Sequence, residues 1–168
     1  MFETTAREFR IGDEDGFIGI VNATAYHSFV DNDWELGQLF RHFTQAINDE
    51  TLIVWETSPG GGDWTVEFLE SASGKDAFRQ FESSIVVTDD RLYLTNYTDL
   101  TMAAQFEDCV IPDKLNADLY ITLTPGRYHC TVRQMFVPGD EGDRFEVILQ
   151  PTTQKGDNVS DVYWNTSF

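Results

Sequence analysis

Leu119-Tyr120-Ile121-Thr122-Leu123-Thr124-Pro125-Gly126-Arg127-Tyr128-His129-Cys130-Thr131-Val132 reads as strand, turn and strand. Pro125 presets the first dihedral of a type II turn, and Gly126 supplies the positive φ that the next position requires. Tyr128, Cys130, Val132 and Gln134 then share one side of a strand over residues 128–137. The same pattern recurs outward from this run. Leu52-Ile53-Val54-Trp55 leads into Pro59-Gly60-Gly61-Gly62, and Trp64-Thr65-Val66-Glu67-Phe68-Leu69 returns, which predicts a hairpin. Residues 78–88 and 91–97 flank a second turn at Asp89-Asp90, and Phe145-Glu146-Val147-Ile148-Leu149 makes a last strand before Pro151. Residues 17–30 read as a long first strand, while 102–111 fit helix and strand equally.

One segment has a different period. Asp31-Asn32-Asp33 breaks the first strand, and Asn32 or Asp33 suits an N-cap, with Glu35 at the positive end of the helix. Leu36, Leu39, Phe40, Phe43 and Ile47 follow at spacings of three and four, so a single amphipathic helix is predicted over about residues 33–48. The expected fold is all-β: an antiparallel β-sandwich of about eight or nine strands with that one helix. Residues 1–151 are expected to form one sandwich domain, with 152–168 an extension docked on it by its aromatic end, Tyr163 and Trp164.

Charge bounds the function. The chain carries 29 acidic and 11 basic residues, net −18 over 168 residues, against the ~2–8 charges that keep a small domain soluble. The acids are scattered from Glu3 to Asp161 among apolar runs, and 13 Phe, 6 Tyr and 4 Trp are enough to drive collapse, so this is no disordered acidic tail. Such a surface repels nucleic acid and anionic membranes and favours a basic partner. The few Lys and Arg form no cluster that would neutralise phosphates. No apolar run approaches the ~20 residues of a membrane span. The opening Met-Phe-Glu-Thr-Thr-Ala-Arg-Glu lacks the basic and apolar regions of a secretory leader, and Cys109 and Cys130 read as free thiols, so a cytoplasmic protein is expected.

No catalytic residue, cofactor or metal site is expected. His27, His42 and His129 are far apart in the chain, and His129 and Cys130 point to opposite faces of one strand. No zinc spacing occurs, and Asp13-Glu14-Asp15-Gly16, Asp31-Asn32-Asp33 and Asp140-Glu141-Gly142-Asp143 do not match a calcium loop. Gly60-Gly61-Gly62 lacks the Lys-Ser/Thr of a phosphate loop.

Several segments appear in a recognisable order. Tyr26-His27-Ser28-Phe29 and Trp34 come first, then residues 46–53, then Phe81-Glu82-Ser83-Ser84-Ile85-Val86-Val87. Leu123-Thr124-Pro125-Gly126-Arg127-Tyr128 follows, before a strand pair ending at Leu149-Gln150-Pro151. This order, over roughly residues 17–151, resembles the ComJ-type competence proteins of bacteria, inhibitors of a DNA-entry nuclease. The chain departs from them in its extra N-terminal residues, its fuller helical segment and its tail. The resemblance implies an acidic protein that offers carboxylates to a nuclease's basic groove, where DNA phosphates would sit.

Charge and resemblance together predict a non-enzymatic binder of a basic protein such as a nuclease. Its contacts are expected at Asp31, Asp33 and Glu35 ahead of the helix, and at Asp140, Glu141 and Asp143 between the last two strands. The alternative is a carbohydrate- or peptide-binding sandwich with exposed aromatics such as Trp64 and Trp164, its acidity serving solubility or salt adaptation. Salt-adapted proteins combine acids with few lysines, and the presence of only three, Lys75, Lys114 and Lys155, keeps the salt-adaptation reading open.

Overall fold

Two strands buried on both faces organise the molecule: β2 (Phe17–Val21) and β3 (Leu52–Glu56), every residue of which is inaccessible. They pair antiparallel in a four-stranded sheet of order β3-β2-β6-β7, completed by β6 (Arg91–Asn96) and β7 (Tyr120–Thr122). The computed structural model describes residues 7–168; residues 1–6, on which the expectation of no leader mainly rests, lie outside the described residues. A five-stranded sheet contains β1 (Glu8–Asp13), β4 (Gly62–Leu69), β5 (Arg79–Val87), β8 (Gly126–Gln134) and β9 (Arg144–Pro151), in the order β1-β4-β9-β8-β5.

Alternation explains the double burial. Ile18, Ile20, Ile53, Trp55, Leu92 and Leu94 join Val66, Phe68, Val132, Phe145 and Val147 of the five-stranded sheet in one apolar cluster. Their neighbours Phe17, Val21, Leu52 and Val54 meet Leu39, Phe40, Phe43, Ala46 and Ile47 of helix α1 (Leu36–Asn48) on the other face. The predicted helical stripe is therefore buried, Leu36 only partly.

The architecture is β-rich, as expected, but it differs from the prediction in several respects. None of the three predicted hairpins forms within a sheet. The chain passes from one sheet to the other between β3 and β4, between β5 and β6, and at Pro125 between β7 and β8. Alternation and turn chemistry look the same whether a returning strand pairs with its predecessor or faces it, so local sequence could not separate the two. The β8–β9 pair is antiparallel, but β4 and β9 run parallel, which a purely antiparallel sandwich excludes.

The first strand ends at Val21 instead of Val30. Asn22 turns the chain there, its Oδ1 accepting from the Ala25 N–H at 3.1 Å while its Nδ2 donates to the Val86 carbonyl at 2.8 Å. The α1 cap is Glu35, because Asp31 holds residues 31–34 in a turn of their own; Gln38 Oε1 accepts from the Glu35 N–H at 3.3 Å. A second helix, α2 (Tyr97–Gln105), stands where strand and ambiguity were read. Asn96 starts it, accepting from the Asp99 N–H at 2.9 Å. In all, the described residues hold nine strands and two helices.

The C-terminal segment lies against both apolar clusters. Tyr163 stacks on Phe81 at 3.9 Å between centroids and donates its hydroxyl to Ser83 Oγ at 2.9 Å. Phe168 rests against Phe17 and Phe40.

Candidate functional site

Asp31, Asp33 and Glu35 are exposed on the loop between β2 and α1. The Asp31 N–H donates to the Ala104 carbonyl at 2.8 Å, so this acidic turn is stitched to α2. Asp31 Oδ1 accepts from the Asp33 N–H at 2.9 Å. The second predicted cluster lies on the β8–β9 loop, with Asp140 and Glu141 exposed. Asp143 is partly buried and pairs with Arg10 on β1, while its carbonyl accepts from the Thr65 N–H of β4 at 2.9 Å. Each cluster is thus gathered within itself. Among the described residues no hydrogen bond or ion pair joins one to the other.

A third acidic feature joins part of the Asp13-Glu14-Asp15 turn to acids distant in sequence. A cleft of about 580 Å³ is lined by Asp13, Glu14, Asp63, Asp99 and Asp113, with Leu115 also on its wall. Asp13 is a structural hub at the crossing from β1 to β2. Its Oδ1 accepts from the Gly16 N–H at 2.8 Å and its Oδ2 from Thr57 Oγ1 at 2.7 Å. The same corner brings Gly61 so close to the Asp13 carbonyl that a Cβ there would sit 2.0 Å from its oxygen.

Asp99 is the electrostatic anomaly of the cleft. Burial, with the adjacent Asp113 carboxyl adding to it, pushes its pKa up to about 6, against the opposing hydrogen bond from Asn116. Asn116 bridges the pair: its Nδ2 donates to Asp99 Oδ2 at 2.8 Å and its backbone N–H to Asp113 Oδ1 at 3.0 Å. These acids come from β1, β4, α2 and the loop beyond it, so only tertiary structure assembles them. In the sequence, the acidic turn Asp13-Glu14-Asp15 marks one wall of the cleft, and the Asn96-x-x-Asp99 spacing fits a helix cap at the other.

Other acids face inward. Glu146 pairs with Arg133 at 2.8 Å, and Glu50 takes a bidentate grip from Arg127 at 2.8 and 2.9 Å plus the Ser84 hydroxyl at 2.9 Å. Burial pushes the Glu50 carboxyl up, but the bonds from Arg127 and Ser84 and the Arg127 charge outweigh it, and its pKa is lowered. Each of these two acids is matched by an arginine, so the pairs leave the net charge of the protein unchanged.

The nucleophiles and bases stay apart. Cys130 is fully buried and its thiol is pushed up by burial, while its neighbour His129 points the other way, to Glu82 at 3.1 Å. Among the described residues no group of three or more His, Cys, Asp or Glu is arranged to hold a metal ion. None of their helices is long and apolar enough to cross a membrane. Trp64 is buried and stacked on Phe136, and Trp164 carries the Arg79 guanidinium 4.0 Å over its ring, so both rings are already in use within the protein.

No protein-family model matches the chain, and no curated protein does. Two solved structures share its fold. One, described as crocagin biosynthetic gene J, aligns with a TM-score of 0.57 and 18% identity, covering 86% of this chain and 96% of its own. The other is ComJ from Bacillus subtilis, an inhibitor of the DNA-degrading activity of NucA. It aligns with a TM-score of 0.53 and 11% identity, covering 90% of this chain and 99% of that one. The fold is ComJ-like.

Proposed function

We propose that this chain is a non-enzymatic, inhibitor-type binder of a basic protein, most directly a nuclease, built as a two-sheet sandwich that displays carboxylates on its loops. The observation that carries the reading is the ComJ-like fold, matched over 90% of the chain, on a protein of net charge −18. A nuclease that grips DNA presents cations in a groove, and fixed carboxylates compete for them where phosphates would sit. Opposed fields also accelerate encounter, and salt erodes that gain. Asp31, Asp33, Glu35, Asp140 and Glu141 supply the displayed charge in this reading, whereas Asp143 already pairs with Arg10 and would have to exchange that partner to take part.

The test is capture from the native host's lysate at low and raised salt, followed by a DNA-cleavage assay on what is recovered. A basic nuclease that elutes with salt and stops cutting DNA when this protein is added supports the reading. Recovery of nothing basic at low salt, with charge reversal at both loops leaving every interaction intact, defeats it. The acidity would then serve solubility, as in the alternative of a carbohydrate- or peptide-binding sandwich.

A further inference from the structure

An apolar cleft opens at the β8–β9 loop, which carries one of the two acidic clusters predicted from the sequence. Its volume is about 380 Å³; Phe78, Met135, Phe136 and Val137 wall it, and Asp76 and Asp140 also line it. Phe78 and Val137 are each 49% exposed, and both acids are exposed. The volume falls within the ~300–1,000 Å³ range of ligand pockets and suits one long side chain.

The walls are fixed in advance. Phe136 is buried and stacks on Trp64 at 5.4 Å between centroids. The Phe78 N–H donates to the Gln134 carbonyl at 2.8 Å, and Gln134 Nε2 donates to the Phe136 carbonyl at 3.0 Å. Gly142 passes so close that a Cβ there would lie 2.4 Å from Phe136 Cβ. Such preorganisation lowers the ordering cost of binding. The acids, by contrast, are unspent. Among the described residues the Asp76 and Asp140 carboxylates accept no hydrogen bond and form no ion pair. Glu141 adds charge beside Asp140, while Lys75, next to Asp76 in the chain, lines the adjoining cleft instead.

This combination discriminates among guests. A divalent cation seeks about six to eight oxygens, and apolar walls offer none. A wholly apolar side chain would strip water from the acids and return no partner. Anions are repelled. An arginine suits both halves of the cleft: its stem covers apolar wall, and its planar, weakly hydrated guanidinium can lie on an aromatic ring and reach a carboxylate. The chain already contains that arrangement, with Arg91 4.1 Å over the Tyr120 ring and 4.0 Å from Asp90. The larger acidic cleft is less available, because Asp13 there is held by Gly16 and Thr57, and Asp99 and Asp113 by Asn116. Resting on the basic-partner reading above, we propose that the cleft at Phe78 and Val137 receives an arginine side chain of the partner protein, its guanidinium at the Asp76 and Asp140 carboxylates.

The test is amide chemical-shift mapping on the full chain with acetyl-Gly-Arg-Gly-amide at millimolar concentration, beside peptides carrying citrulline or norleucine in place of the arginine. Shifts centred on residues 76–78 and 135–142 are expected with the arginine peptide, and binding at least about fivefold weaker with either substitute. Val137→Lys, which brings a cation into the cleft, and Asp76→Asn combined with Asp140→Asn are each expected to weaken binding by a similar factor, with the spectrum elsewhere unchanged. Shifts spread evenly over the acidic loops, or centred on the Asp99 cleft, overturn the proposal. Equal binding of the citrulline or norleucine peptide overturns it too, as does undiminished binding to Val137→Lys. A nuclease stopped equally by wild-type and Val137→Lys protein would remove the cleft and keep the inhibitor. Arginine binding as described, with no basic partner recovered, would keep the cleft and remove the inhibitor.

Discussion

Replacing Asp99 by Asn is expected to stabilise the protein near neutral pH, and the sign follows from where its proton sits. The folded-state pKa of about 6 stands above the ordinary 3.8, so between those values the folded chain holds a proton that the unfolded chain releases. The stabilisation linked to that proton is complete below about pH 4 and is lost as pH rises through the folded value. Each tenfold change in proton affinity is worth ~1.4 kcal/mol, which sets a ceiling of ~3 kcal/mol; the carboxyl borders an open cleft, and screening brings the expected loss to ~1–2 kcal/mol. Asn keeps an oxygen for Asn116 Nδ2, now 2.8 Å away, and sheds the repulsion from Asp113. It also gives up a charge in the first turn of α2, worth ~0.3–1 kcal/mol in the opposite direction. A net gain of roughly 1 kcal/mol above pH 7 should remain, fading toward pH 4. Urea denaturation of both proteins over a pH series isolates the Asp99–Asp113 pair, because carboxylates that do not interact with it cancel in the difference. A difference that does not vary with pH, or a variant less stable at neutral pH, refutes the reasoning.

Phe43→Ala removes a ring that is 1% exposed and packs on Phe40 at 5.6 Å between centroids; a loss of about 3–5 kcal/mol in chemical denaturation is expected. Glu50→Gln should cost about 1.5–3 kcal/mol at neutral pH by weakening the charged bonds to Arg127 and Ser84. Because the Glu50 pKa is lowered, that cost should shrink as pH falls through the folded value, which a pH series of melts will follow. A thiol reagent should modify Cys109 in the native protein and Cys130 only after unfolding, since Cys130 is buried and its thiol is pushed up; two native thiols in the titration would contradict this.

The sequence carried local structure and little of the pairing. The α1 stripe was legible because period and burial coincide in it, from Leu39 to Ile47. The alternation in residues 52–55 and 64–69 was equally legible, yet β3 and β4 lie in different sheets. Partner choice depends on long-range register, such as Thr65 opposite Arg144, and no short window contains both residues. α2 went unread because its apolar positions are few, chiefly Leu100, Ala103 and Ala104, and follow directly on an alternating strand. The predicted acidic turns stand on loops as local composition suggested. The Asp99–Asp113 cleft depends instead on α2 and the loop beyond it being folded against the β1–β2 corner.

Glu56 shows how the end of the chain is secured. It is 2% exposed, and its carboxylate accepts from the Thr166 N–H at 2.6 Å, the Thr166 hydroxyl at 3.0 Å and the Ser167 hydroxyl at 2.6 Å. Trimming by a carboxypeptidase past Thr166 would strip these donors from a carboxylate that the intact chain buries, so nicked material should melt early.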